Sequence, residues 1–268
     1  MNLIQLLNKI WDKYSAENPS AKNVKSLFES EGEIVNNDHI AFRTFNDCRI
    51  SIDVLSKPFL KLGYQEIASY QFETKHLFAK HFEHPAEKNA PRVFISQLIL
   101  EDFSEFLQDT IKHKINSVND AIYEDEDLIF YGTLWGKPDY ETYLKLREES
   151  EYAAWLYVYG FRVNHFTIDI NTLQKHNTIL KVNQLLKDNG FKLNAAGGEI
   201  KGSPEQLLEQ SSLMADLQPV EFTDRIEKIP SCYYEFAKRY SDKEGKLFSG
   251  FIAKSADKIF ESTNYYKK

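Results

Sequence analysis

The sequence predicts an α+β fold in which two pseudo-symmetric βαβββ modules form one concave mixed sheet around a metal site, with added helices. Three observations carry this expectation. Segments that alternate apolar and polar residues, the period of a half-buried strand, occur in two groups, one before residue 100 and one after residue 160. In each group a strand with a histidine near its start, DHIAFRTF or VNHFTIDI, precedes a helical stretch ending in a glycine–aromatic step, LGY or NGF. Each group then ends on an aromatic-rich strand, RVFISQLIL or SCYYEFAKRY. The 268 residues fit a single domain over 1–268. Within it, 1–100 holds N-terminal helices and the first module, 101–160 a helical insertion, and 161–268 the second module and a tail.

Leu3, Ile4, Leu6, Leu7, Ile10 and Trp11 form a helical stripe. Pro19 and Ser20 interrupt it, and NVKSLFES reads as a second helix. A strand over 38–45 is followed by the helical ISIDVLSKPFLKLGY, broken by Pro58 and closed near Gly63. QEIASYQF, KHLFAKHFEH and PRVFISQLIL complete the first module as strands. EDFSEFLQDTIKHKI and ETYLKLREESEYAAWLYVYG are helical, with GTLWGKPDY as a loop between them. After the strand at 163–170, NTLQKHNTILKVNQLLKDNG reads as a helix capped by Asn171 and stopped by Gly190. PEQLLEQSS is helix-like, PVEFTDRIEKIP and SCYYEFAKRY are strand-like, and the tail is polar, with Lys267 and Lys268.

Composition narrows the function classes. Net charge is −7, from 33 basic and 40 acidic residues, which argues against a nucleic-acid partner. Cys48 and Cys232, the only two cysteines, are far apart, so neither a disulfide framework nor a cysteine-ligated zinc site is expected. No apolar run approaches the roughly 20 residues that cross a bilayer, and no secretory signal is visible. These features lead us to expect a soluble, cytoplasmic protein without a membrane partner.

In the strand NNDHIAFRTF, alternation sets His39, Ala41 and Arg43 on one face and Ile40 and Phe42 on the other. An imidazole and a guanidinium two pleats apart are unusual on a packing face. A non-haem iron site needs two neutral imidazoles and a carboxylate, with open positions left for substrate and oxygen. Strands of two related modules can supply these as His39, His165 and Glu235, with Glu221 as a rival carboxylate. The repeat also sets Gln97 opposite Glu235.

Taken together, DHIAFRTF, VNHFTIDI, GSPEQLLEQSS, PSCYYEFAKRY and GFIAKSADKIFEST resemble the 2-oxoadipate dioxygenase/decarboxylase family, also called hydroxyglutarate synthase, a group placed with the vicinal-oxygen-chelate enzymes. The similarity covers most of the chain, which looks like a short member without family insertions. It implies Fe(2+) held by His39, His165 and Glu235, with Arg43 as the catalytic arginine that engages the substrate. The implied partners are a small 2-oxo acid and O2, with 2-oxoadipate converted to 2-hydroxyglutarate and CO2. Gln97, Ser211, Ser212 and Tyr233 are further candidates for substrate contact, and Tyr233 and Phe251 for the distal wall of the pocket. Ser211 and Ser212 read equally well as helix-end caps. His76, His81 and His84 read as surface residues, with His76 the nearest to a pocket, and His113 and His176 as solvated. GGEIKG, residues 197–202, lacks the lysine spacing of a phosphate loop and reads as a turn or lid. Two alternatives stay open: another divalent-metal-dependent isomerase or lyase of the same superfamily, and a non-catalytic binding protein of this fold.

Overall fold

The computed structural model describes residues 1–265, so Lys267 and Lys268 lie outside the described residues. Helix α1 (Leu3–Glu17) begins at Asn2, whose side chain and that of Gln5 cap each other's backbone, and it buries Leu6, Ile10 and Tyr14. Helix α2 (Pro19–Ser30) starts on a proline, which leaves no helical donor unused, and buries Ala21, Val24 and Phe28. Both helices cover the outer face of the sheet, where Trp11 meets Phe166 edge-on at 5.1 Å and Phe28 packs on Phe236.

The first module is strand β1 (Asn37–Phe45), helices α3 (Ile52–Leu55) and α4 (Lys57–Lys61), and strands β2 (Gln65–Phe72), β3 (Leu77–Glu83) and β4 (Arg92–Leu98). The expected single helix is two short ones divided at Ser56, because Pro58 cannot donate into a continuous ladder. The insertion is helical as expected: α5 (Glu105–Asn116), α6 (Asp120–Tyr123), α7 (Tyr140–Glu149) and α8 (Glu151–Tyr159). Every residue of α8 from Tyr152 to Tyr159 is buried, so this helix is core rather than surface.

The second module repeats the plan with β5 (Val163–Asp169), α9 (Ile179–Asp188), β6 (Lys201–Ser203), β7 (Leu208–Ser212) and, after an inserted hairpin of β8 (Leu217–Glu221) and β9 (Ile226–Pro230), β10 (Tyr233–Arg239). The main sheet runs β2-β3-β4-β1-β5-β10-β7-β6, so the two halves meet at β1 and β5. In each half the first and last strands pair in parallel, β1 with β4 and β5 with β10. Across the join, β1 and β5 are antiparallel, with Ile40 opposite Phe166, His39 opposite Thr167 and Ala41 opposite His165. That register makes His39 and His165 symmetry mates. Helix α10 (Ala253–Ile259) contacts β2, β6 and β7, and so spans both halves of the sheet.

Two local expectations are corrected. PEQLLEQSS is one 3₁₀ turn followed by strand β7, because pairing with β10 outweighs its helix propensity. Helix α9 starts at Ile179 under a Thr178 cap, while Asn171 instead exchanges hydrogen bonds with the backbone of Arg239. PVEFTDRIEKIP is strand as expected and forms the separate β8–β9 hairpin. In GGEIKG, Gly202 at φ +82° lies so close to the Leu208 carbonyl that a Cβ would clash, which fixes the β6–β7 hairpin and leaves no phosphate cradle.

Glu33, just past α2, ties that helix to the loop after β5. Its carboxylate accepts hydrogen bonds from the backbone N–H groups of Gln174, Lys175 and His176 at 2.7, 2.7 and 2.9 Å, and from His176 Nδ1 at 3.2 Å. His176 is thus a structural partner and not a solvated residue. Burial pushes the Glu33 carboxyl up, but these donors outweigh it and hold it at about 2. A depressed carboxyl adds stability that is complete above its unfolded value and lost as pH falls from about 4.5 toward 2. Glu33→Gln is therefore expected to cost roughly 2 kcal/mol at pH 7, with the difference from wild type vanishing near pH 2. Urea unfolding at the two pH values measures this.

Candidate metal centre

Strand β1 is buried on both faces, so alternation alone did not separate a solvated face from a packed one. Parallel pairing sets His39, Ala41 and Arg43 beside Arg92, Phe94 and Ser96 on the concave face. Ile40, Phe42 and Thr44 lie with Val93, Ile95 and Gln97 on the outer face. From the second half, His165 and Thr167 share the concave face with Tyr233 and Glu235 of β10, and Glu235 pairs with Ser212 of β7.

Two β-bulges flank the join. The register skips Asp38 on β1 and Asn164 on β5, the residues immediately before the two histidines. Each bulge lets the preceding side chain reach its histidine: Asp38 Oδ2 lies 2.7 Å from His39 Nδ1, and Asn164 Oδ1 lies 3.1 Å from His165 Nδ1. A carboxylate only accepts, so His39 Nδ1 carries the proton and Nε2 carries the lone pair. The same arrangement at His165 turns its Nε2 inward as well.

The inward atoms converge. The two Nε2 atoms are 3.3 Å apart, His165 Nε2 is 3.2 Å from Glu235 Oε2, and His39 Nε2 is 3.7 Å from Glu235 Oε1. Separations near 3 Å are the edges of a coordination polyhedron whose bonds are about 2.1 Å. All three residues are buried, and Glu235 Oε2 has no hydrogen-bond partner. Three potential ligand atoms thus converge on one buried point, and a cation that displaces the Glu235 proton is what such a set fits. Among the described residues, His39, His165 and Glu235 form the one group of three or more such side chains whose ligand atoms lie within 4.8 Å of one another.

The protonation states suit that role. Burial pushes both imidazoles down, His165 strongly, so both are neutral at neutral pH. Burial raises the Glu235 carboxyl to about 8, although Gln210, whose Nε2 donates to Glu235 Oε1, pulls the other way. At Asp38 burial also pushes upward, but the charge of Arg239, the hydrogen bonds from His39 and Arg239, and the charge of Arg92 hold the carboxyl well below the usual range. Arg239 donates Nε and Nη2 to Asp38 at 2.6 and 2.9 Å, and Arg92 donates Nη1 at 3.1 Å.

Arg43 lies at the far end of the same face. It is fully buried, its guanidinium sits over the rings of Tyr152, Trp155 and Phe260 at 4.9, 5.0 and 5.8 Å, and Nε and Nη1 have no hydrogen-bond partner. Tyr233 stacks on His165 at 4.7 Å, and its buried hydroxyl is likewise unpartnered. Ser212 is on this face too, hydrogen-bonded to Ser262 Oγ at 2.7 Å. Phe251 meets His39 edge-on at 4.9 Å and closes the face beside it.

Other expected residues lie elsewhere. Gln97 is on the outer face, where its Oε1 accepts from Ile52 N–H at the start of α3; the counterpart of Glu235 across the repeat is Phe94, so the expected Gln97 equivalence is off by three residues. Ser211 also points outward, donating to Asn183 of α9 at 2.6 Å. Glu221 is exposed on the β8–β9 hairpin and pairs with Lys137. His76 is exposed beside Asp102, whereas His81, expected at the surface, is buried on the concave face and bonded to the Tyr70 hydroxyl at 2.8 Å. Sequence reading missed Asp38, Asn164 and Gln210. The first two carried a signal, since an Asx residue precedes each histidine in DH and NH. Gln210 carried none, because its strand was read as a helix.

A concave sheet made of two βαβββ halves, with candidate metal ligands drawn from both, is a fold of the vicinal-oxygen-chelate type. A glyoxalase-superfamily protein from Ralstonia eutropha JMP134 shares the fold at a TM-score of 0.74 and 17% identity, over 90% of this chain and 83% of that one. The model of the 2-oxoadipate dioxygenase/decarboxylase family matches residues 1–246. The chloroplastic 2-oxoadipate dioxygenase/decarboxylase of Arabidopsis thaliana is 37% identical, over 96% of this chain and 76% of that protein. The crystal structure of hydroxyglutarate synthase from Oryza sativa in complex with 2-oxoadipate has a TM-score of 0.91 at 35% identity, covering 97% of this chain and 91% of that one. The chain belongs to the 2-oxoadipate dioxygenase/decarboxylase family.

Two outcomes follow from the geometry. Asp38→Asn, which weakens the hydrogen bond that orients His39, is expected to lower divalent-metal affinity about 10- to 100-fold. Competition with a chromophoric chelator measures this, with thermal unfolding as the check on folding. Because the metal-free Glu235 carboxyl titrates at about 8, metal binding at pH 7 should release close to one proton. Raising the pH removes that proton beforehand, so affinity should climb up to about pH 8 and proton release should fall. Calorimetry in buffers of different ionisation enthalpy reads both quantities.

Proposed function

We propose that this enzyme is an Fe(II)-dependent dioxygenase/decarboxylase that converts 2-oxoadipate and O2 into 2-hydroxyglutarate and CO2. One observation carries the reading: a two-histidine, one-carboxylate donor set converges on the same buried face as an arginine with two unpartnered donors. Ferrous iron held by His39, His165 and Glu235 would supply O2 activation and a chelation point for the keto and carboxylate oxygens of a 2-oxo acid.

The chain's own residues do the rest. The hydrogen bonds that His39 and His165 donate to Asp38 and Asn164 fix which imidazole nitrogen faces inward. Arg43 keeps Nε and Nη1 free, and either can donate to a substrate carboxylate. The rings around Arg43 exclude water, so that ion pair is stronger than it would be at the surface. The Tyr233 hydroxyl is a further free donor on this face, and Phe251 keeps water from His39. The family membership and the 2-oxoadipate complex of the rice enzyme support this substrate over other 2-oxo acids.

Anaerobically Fe(II)-loaded protein mixed with oxygenated buffer and 2-oxoadipate should consume O2 and form CO2 and 2-hydroxyglutarate in equal amounts. His165→Ala should abolish all three. Arg43→Lys, which loses the fork, should raise KM by about 10- to 100-fold. Turnover of the 2-oxo acid without oxygen consumption would contradict the reading and point to isomerase or lyase chemistry.

A further inference from the structure

Two arginines are fully buried on the concave side, and they differ in how they are held. Arg239 has all its nitrogens engaged: Nε and Nη2 on Asp38, and Nη1 on the carbonyls of Phe248 and Gly250 at 3.1 and 2.7 Å. This is a permanent structural ion pair. Arg43 is equally buried, yet its charged partner, Glu151, stands with Oε1 3.8 Å from Nη1. That distance is too long for a hydrogen bond and close enough for charge attraction. The remaining contact is long, from Nη2 to Thr263 Oγ1 at 3.5 Å.

Glu151 is not buried with Arg43. Its side chain is 21% exposed and lies in the first turn of α8, where the helix dipole favours a carboxylate whether or not Arg43 is nearby. It lines a surface pocket of about 210 Å³ together with Lys75, His76, Arg147, Tyr152 and Phe260. Tyr152 and Phe260 are also rings that pack on the Arg43 guanidinium. Tyr152, Phe260 and Glu151 thus border both the pocket and Arg43.

We propose that Glu151 is a displaceable counter-anion for Arg43, and that the substrate exchanges its own carboxylate for that of Glu151. The inference rests on the substrate role of Arg43 proposed above, and it adds a specificity-determining residue. Glu151 offsets part of the Arg43 charge in the empty enzyme without occupying its hydrogen-bond donors. A ligand carboxylate that takes those donors places a second negative charge beside Glu151, and the glutamate swings outward to solvent. Monoanionic 2-oxo acids that put no carboxylate at Arg43 leave Glu151 in place and gain nothing from the exchange.

Glutarate, a dicarboxylate without the keto group, is the probe, titrated calorimetrically into full-length metal-loaded protein. Glu151→Gln removes the competing charge and should bind glutarate roughly three- to fivefold more tightly than wild type, the size of a partly exposed charge interaction. The KM for 2-oxoadipate should fall in parallel. Glu151→Asp keeps the charge and should remain near wild type, which separates the charge effect from any folding defect. Adding Arg43→Lys to Glu151→Gln should erase the gain. Equal or weaker glutarate binding by Glu151→Gln, or no glutarate binding by either form, would overturn the proposal. Oxygen uptake is read separately: glutarate binding as predicted without oxygen consumption would refute the catalytic reading and leave this inference standing.

Discussion

The antiparallel pairing of β1 with β5 is the constraint on which the site depends. It joins two βαβββ halves at their first strands and fixes His39 and His165 as symmetry mates. A slip of one residue would turn one imidazole to the outer face, against α1 and α2. The register is held on that outer face by aromatic packing, with Phe166 wedged against Trp11 and Tyr14, and Tyr234 against Trp11. The hydrophobic layer thus sets the position of the polar one. The bulges at Asp38 and Asn164 break the ladder locally and bring the orienting side chains onto the concave face.

Polar groups on that face divide into those the fold satisfies and those it leaves open. Asp38, Arg239 and Arg92 form a closed network that stiffens His39 from behind and also anchors the carbonyls of Phe248 and Gly250. Phe251, next in the chain, is thereby set against His39. Arg43 Nε and Nη1, the Tyr233 hydroxyl and Glu235 Oε2 are buried without partners. Unpaired buried polar atoms cost about 1–3 kcal/mol each, and these four meet on one face, where a ligand can supply their partners. Catalysis of this kind relies on donors that need no rearrangement when the substrate arrives.

Much of this was legible in the sequence, for identifiable reasons. The repeat showed because each half carries a histidine strand, a helix ending in Gly-aromatic and an aromatic closing strand, and the structure places these as equivalent elements. His39, His165 and Glu235, singled out by their places in the repeat and by the family resemblance, lie together in the structure as a possible metal-binding group. What failed were features decided by pairing. LEQSS has helical propensity, and only its position between β10 and β6 makes it a strand, which hid Gln210 and put Ser211 on the wrong face. Gln97 was misassigned because the repeat was aligned on the wrong residue of β4, three positions from Phe94. Among the histidines of β3, His81 rather than His76 faces inward, since the strand begins only after a left-handed His76.

The central claim is that one divalent metal sits between His39, His165 and Glu235. Crystals grown anaerobically with Fe(II), measured on both sides of the iron absorption edge, test it directly. The account predicts a single anomalous peak about 2.1 Å from His39 Nε2, His165 Nε2 and a Glu235 carboxylate oxygen. A peak at other residues, or a protein that takes up iron without density at this position, would contradict it.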